Sequence, residues 1–128
     1  MKYTYPKAEK LKSHKVIESL FKEGKSVSKY PLRLVYVPLN QEESNRHLVG
    51  VSVSKKYFKK AVDRNYYKRL LRESYRLNQH LLKDALPQPS AVMLFYQTPE
   101  NTTLEQMQHK MKLLFEKLKQ QSSKESGQ

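Results

Sequence analysis

The chain of 128 residues is the length of one domain with a single core, and its 25 Lys and Arg against 12 Asp and Glu leave a net charge of +13 at pH 7. That excess points to a polyanionic partner, nucleic acid first. The lack of cysteine excludes a disulfide framework and a thiolate zinc site; with neither a signal-peptide pattern nor a run long enough to span a bilayer, a cytoplasmic protein with no membrane partner is expected.

The first dozen residues are basic and mostly polar, an N-terminal arm whose only large apolar groups are Tyr3 and Tyr5. Ser13 can then cap a helix that Gly24 ends, with Val16, Ile17, Leu20 and Phe21 as its apolar stripe. PLRLVYV, Pro31 to Val37, alternates and is rich in β-formers. PLNQEESNRH is a polar connector, and LVGVSVS, Leu48 to Ser54, reads as a second strand, the pair forming a hairpin with a long loop. A helical pattern runs from about Lys59 to His80, and LPQPS at 86–90 stops it. AVMLFYQ is nearly continuous apolar sequence, which suits a strand covered on both faces. A last helix opens with the capping pattern Thr102-x-x-Glu105 and carries Leu104, Met107, Met111, Leu114, Phe115 and Leu118 on one side. Residues 1–120 are expected to form a single RNA-binding domain with a basic arm, and 121–128 a disordered tail. The order is helix, two or three strands, helix, strand, helix: an α+β domain, αβββαβα with the third strand counted.

More than half of the charge excess sits in Lys55 to Arg76, which holds nine Lys or Arg against two acids. At about 100° per residue, Arg64, Asn65, Lys68, Arg69, Arg72 and Arg76 share an arc of about 140°, with Tyr66, Tyr67, Leu70, Leu71 and Leu77 on the rest of the helix. A face that is merely soluble mixes signs and gains from ion pairs one turn apart. Here Asp63 and Glu73 fall outside the arc, so an external polyanion is the natural source of neutralisation. Arginine forks suit phosphate, and Asn65 offers a donor and an acceptor for a sugar hydroxyl or base edge. Lys55, Lys56, Lys59 and Lys60 would extend the patch around the helix N-terminus.

Side-chain catalysis has no comparable support. His14, His47, His80 and His109 are scattered and read as surface residues, none at metal-ligand spacing. Asp63 and Glu73 read as charge balance, and Gly24 and Gly50 are too isolated to cradle phosphate. On the residues alone two readings stay open: a structural RNA-binding protein of the ribosome or translation apparatus, and a nuclease acting alone.

The run VSVSKKYFKKAVDRNYYKRLLRESYR resembles the signature of the protein subunit of bacterial ribonuclease P, in which Ser-Lys-Lys follows a strand and Arg-Asn-Arg, Lys-Arg and Arg-Glu lie on the next helix. The matching residues are Ser54, Lys55, Lys56, Arg64, Asn65, Lys68, Arg69, Arg72 and Glu73. Leu11, the helix ending LFKEG, the strand after it, AVMLFY and the amphipathic last helix fall in the family's order over residues 5–118. There are two departures. Tyr66 stands where the third motif residue is usually Arg, and the glycine common after Lys-Lys is replaced near Tyr57 and Phe58. Position 66 is expected to point toward the packed side.

The resemblance implies a ribonucleoprotein endoribonuclease whose RNA carries the active site and its magnesium ions, and which removes the 5′ leader of precursor tRNA. The protein itself would bind no cofactor and hold no metal or catalytic side chain. Its partners would be the catalytic RNA and precursor tRNA, not DNA. The implied fold is a small mixed sheet with helices and a left-handed βαβ crossover, against the general rule of handedness. The basic segment, Lys55, Lys56, Lys59, Lys60, Arg64, Asn65, Lys68, Arg69, Arg72 and Arg76, would lie against the catalytic RNA. A cleft between the first helix and the sheet would take the leader. By strand alternation Ser52 and Ser54 would floor it, with Arg33 and Val35 on the same face, while Leu34 and Tyr36 enter the core. Ile17 and Phe21 would form its wall, and Phe21 would stack a leader base, its alternative being ordinary core. Tyr5-Pro6-Lys7 aligns with an aromatic-Pro-basic stretch in the family and would reach RNA, the equal alternative being a disordered arm.

Overall fold

The computed structural model describes residues 14–39 and 46–126. The Ser13 cap, Leu11 and the Tyr5-Pro6-Lys7 stretch lie outside the described residues. In chain order the elements are α1 (His14–Glu23), β1 (Lys25–Lys29), β2 (Leu32–Pro38), β3 (Leu48–Val53), α2 (Ala61–Ala85), β4 (Ser90–Tyr96) and α3 (Leu104–Ser126). The expected α+β order αβββαβα is the observed one. β1 supplies the third strand: KSVSK buries only Val27, so its alternation is too polar to announce itself.

The sheet order is β1-β2-β4-β3, with β2 antiparallel to β1 and to β4, and β3 parallel to β4. The hairpin read between the second and third of these strands is therefore wrong. β4 lies between them, since the strand with apolar groups on both faces gains most from a central position. Parallel pairing of β3 with β4 needs a long crossover, which α2 provides. This β3–α2–β4 unit is where the resemblance puts its left-handed connection.

Register sorts the side chains onto two faces. Val53, Tyr96 and Leu32 align across the sheet, as do Val51, Leu94, Leu34 and Val27, and these rows bury under α2 and α3 in the main core. The other face carries Ser52, Phe95 and Arg33 in one row and Gly50, Met93 and Val35 in the next. On that face α1 packs Val16 and Leu20 against Val35 and Ala91. Gly24 closes α1, its N–H donating to the Leu20 carbonyl at 3.1 Å. A Cβ at this position would collide with that carbonyl oxygen and with Val35, so the helix-ending residue has to be glycine.

An aromatic stack fixes the start of α2. Phe58, in the turn before the helix, lies 4.4 Å from the Tyr67 ring, and Tyr67 lies 5.2 Å from Tyr96 on the central strand. The Tyr67 hydroxyl donates to Asn101 Oδ1 at 2.5 Å, tying α2 to the loop before α3. α2 runs one turn beyond the sequence expectation, to Ala85, because Leu82 and Ala85 are buried and the residue before Pro87 is the first to resist helix. At α3 the capping box is one residue later than read: Thr103 Oγ1 accepts from the Gln106 N–H at 3.2 Å, and Gln106 Oε1 accepts from the Thr103 N–H at 3.3 Å. The tail expected to be disordered from residue 121 begins inside α3. There Gln121 donates to the Ser26 carbonyl and Ser122 to the Ala85 carbonyl.

His47, read as a surface histidine, is only 8% exposed, and its Nδ1 accepts the Ser90 N–H at 3.0 Å, joining the connector to the start of β4. Burial pushes its pKa below the ordinary value, with the Lys83 charge acting in the same direction and a backbone hydrogen bond at Leu86 partly offsetting both. A depressed histidine pKa contributes stability above the unfolded value, which is lost as pH falls toward the folded one. The protein is therefore expected to lose stability as pH falls from about 7 through the ordinary histidine value, above the range where most carboxylates titrate. Denaturant midpoints across that window should shift less in a His47→Gln variant; equal shifts would remove His47 as the cause.

Candidate nucleic-acid interface

β3 ends at Val53, and Ser54 forms the turn that follows it. Ser54 Oγ accepts the Lys56 N–H at 3.0 Å, and its carbonyl accepts the N–H groups of Tyr57 and Phe58. The serine of the Ser-Lys-Lys run is thus a turn former beyond the strand, not part of the sheet floor. The turn sends Phe58 into the core and leaves Lys55, Lys56, Lys59 and Lys60 exposed around the entrance to α2.

Along α2 the basic arc divides. Asn65, Arg69 and Arg72 are exposed, whereas Arg64, Lys68 and Arg76 are half-buried. Arg64 is not a free cation: its Nη1 donates to the carbonyls of Phe58 and Lys59 at 2.9 and 2.8 Å. Lys60, the N-cap residue, makes no side-chain cap bond, so Arg64 is the side chain that reaches back to brace this entrance. Arg64→Ala is expected to lower stability by about 1 kcal/mol, the net worth of hydrogen bonds made by a charged group at a part-exposed site. Lys68→Ala should leave the denaturation midpoint in place. Equal midpoints for both variants would reduce the Arg64 bonds to surface decoration.

Arg76 likewise differs from the sequence expectation. Its guanidinium bonds both carboxylate oxygens of Glu73 through Nε and Nη2, and this pairing holds the Glu73 carboxyl below its ordinary range. One member of the arc is therefore neutralised by an acid just outside it, in an i,i+3 pair. Tyr66 also departs from expectation. It is 44% exposed rather than packed inward, lying edge-on to Tyr67 at 5.0 Å, with the Arg69 guanidinium 6.0 Å from its ring centre.

The second surface is on the opposite face of the sheet. Arg33 and Ser52 flank Phe95 in one row and are half-exposed, and the Arg33 guanidinium lies 5.9 Å from the Phe95 ring centre. Val35 shares that face but is packed beneath α1, 7% exposed, so it supports the floor without forming its surface. Ile17 is half-buried and Phe21 69% exposed. The apolar stripe read for α1 therefore splits: Val16 and Leu20 hold the helix down, and the Phe21 ring is left to solvent. Phe95 and Met93 were missed as candidates. Their signal was the strand period itself, which puts them on the Arg33 face once β4 is paired with β2.

Among the described residues no three His, Cys, Asp or Glu side chains are grouped as metal ligands, and no helix is long and apolar enough to cross a membrane. What the geometry offers is a cationic helix face with its basic turn, and on the other side of the sheet an aromatic and cationic floor beside an exposed phenylalanine.

The model of one family, ribonuclease P, matches residues 5–119. A relative described as the ribonuclease P protein component of Porphyromonas gingivalis is 48% identical over 80 residues, 62% of this chain. The matched segment spans 58% of that relative's length. The protein component from Dictyoglomus turgidum is 39% identical over 82 residues, 64% of this chain and 66% of its own. Among solved structures, the RNase P protein of Staphylococcus aureus superposes with a TM-score of 0.70 at 22% identity, covering 86% of this chain and 94% of that one. The RNase P protein of Thermotoga maritima gives 0.68 at 23% identity, covering 84% and 96%.

Proposed function

The chain belongs to the ribonuclease P family, and from that membership we propose that it is the protein component of a ribonucleoprotein that removes the 5′ leader of precursor tRNA. Its own side chains do no bond-breaking. The RNA subunit supplies the active site and its magnesium ions, while the protein binds that RNA with one surface and the leader with another. The observation that carries this reading is the cluster of exposed cations formed by Lys55, Lys56, Lys59 and Lys60 on the turn and Arg69 and Arg72 on α2, with the neutral Asn65 exposed among them. Such a run of like charge is repulsive in the free protein and is relieved by a phosphate backbone.

The leader surface would be the face of the sheet flanked by α1. An unpaired strand needs a cationic track and aromatic faces with no sequence preference, and Arg33, Phe95 and Phe21 are of those types. Ser52 adds a hydroxyl to the floor. In this division Arg64 and Arg76 act first within the protein, Arg64 by bracing the turn and Arg76 by holding Glu73.

The direct test is reconstitution. Purified protein should not cleave precursor tRNA alone, and should strongly stimulate cleavage by a bacterial ribonuclease P RNA at low magnesium. Cleavage by the protein alone would make it an independent nuclease; failure to stimulate while still binding RNA would leave the structural RNA-binding alternative.

A further inference from the structure

α2 is the most cationic element of the chain, yet two of the four large apolar side chains exposed among the described residues lie on it, Val62 and Tyr66. They are four residues apart and so share one flank of the helix. Tyr66 and Leu70 floor a shallow depression bounded by Arg69, Arg72 and Glu73. The carboxylate in that ring is engaged by Arg76, which leaves the two arginines as the unneutralised charges beside the depression.

The Tyr66 ring is also held in place. It meets the edge of Tyr67, whose own ring is stacked on Phe58 and Tyr96 and whose hydroxyl is bonded to Asn101. An exposed aromatic fixed by a buried stack loses little freedom when something lies against it. A planar ring in a positive field matches one kind of occupant in size and charge: a nucleobase with phosphates on either side.

We propose that Tyr66 is a stacking platform for one unpaired nucleobase of the bound RNA, with Arg69 and Arg72 holding the adjoining phosphates. This rests on the reading that the α2 face meets RNA, and it adds to that reading an interaction that does not depend on charge. Stacking and phosphate binding differ in their response to salt, which makes them separable.

The experiment measures affinity of the full chain for a bacterial ribonuclease P RNA across a salt series, for Tyr66→Leu, Tyr66→Phe and Tyr66→Trp. Tyr66→Leu should bind about fivefold or more weakly with an unchanged salt slope, as expected when one base–aromatic stack is removed. Tyr66→Phe should stay within about twofold of the original and Tyr66→Trp should bind at least as tightly, because both keep a ring. The Phe and Trp variants keep the edge contact to Tyr67, so they report on stacking even if the Leu variant is less stable. Three results would overturn the proposal. Tyr66→Leu could bind as well as the original; Tyr66→Phe could fall as far as Tyr66→Leu, making the hydroxyl the binding group; or the free chain could dimerise and Tyr66→Leu abolish that, making a second copy the occupant. If replacing the neighbouring cations weakens binding and Tyr66→Leu does not, only the platform fails. If neither has an effect, the α2 face itself is not an RNA surface.

Discussion

Replacing Lys68, Arg69 and Arg72 together by alanine is expected to flatten the fall of log K with log salt for catalytic RNA by about 2 to 3 units, at ~0.7 to 0.9 for each phosphate no longer neutralised. The choice of residues follows from how the structure divides the arc. Arg64 is committed to the Phe58 and Lys59 carbonyls and Arg76 to Glu73, so removing either confounds binding with folding or with an unpaired carboxylate. Arg69 and Arg72 are exposed on the same face, and Lys68 is half-buried beside them. The denaturation midpoint of the triple variant should therefore stay close to that of the parent, while binding at moderate salt falls by well over tenfold. A triple variant with unchanged affinity and slope would take α2 out of the interface, whatever role the lysines of the preceding turn play.

How far the sequence carried the fold depended on the kind of signal. Elements with strong periodicity, α2 from Ala61, β4 and α3, were legible because a single amphipathic or doubly apolar pattern fixes each of them. Strand pairing was not. The order β1-β2-β4-β3 depends on which strand gains most from being central, and a polar connector between β2 and β3 reads the same whether it turns a hairpin or crosses an edge. Charge was visible as composition, but its partners were not. The Glu73–Arg76 pair is i,i+3 on a helix and could have been read from spacing. The reach of Arg64 back to the turn depends on the dihedral angles of Phe58 and Lys59, which no pattern encodes. Tyr66 departs from its expected inward position because the packed side of α2 is not everything outside the basic arc. Burial in fact occupies a narrower sector, from Tyr67 and Leu71 through Ser74, Tyr75 and Asn78.

The exposure of Phe21 decides how leader recognition is to be tested. A buried ring would have to be replaced by an isosteric side chain to spare the core; a ring that is 69% exposed can be removed outright. Phe21→Ala keeps Val16 and Leu20, the residues that hold α1 on Val35 and Ala91, so the helix should stay docked. Under the proposed division of surfaces, a reconstituted holoenzyme carrying Phe21→Ala should bind precursor tRNA with a long leader more weakly by about 1 to 2 kcal/mol, within the range for one base stacked on an aromatic ring. Binding of mature tRNA, which has no leader, should not change, nor should assembly with the RNA subunit. Arg72→Ala should behave in the opposite way, with weaker assembly and no dependence on leader length once assembled. The measurement is affinity for leader-bearing and leaderless tRNA at saturating protein for both variants. Equal weakening of the two tRNAs by Phe21→Ala would mean that α1 had shifted on the sheet, and no weakening of either would place the leader elsewhere. Since Phe95 and Arg33 stand on strands of the sheet and not on α1, an Arg33→Ala variant would then show whether the sheet carries the strand.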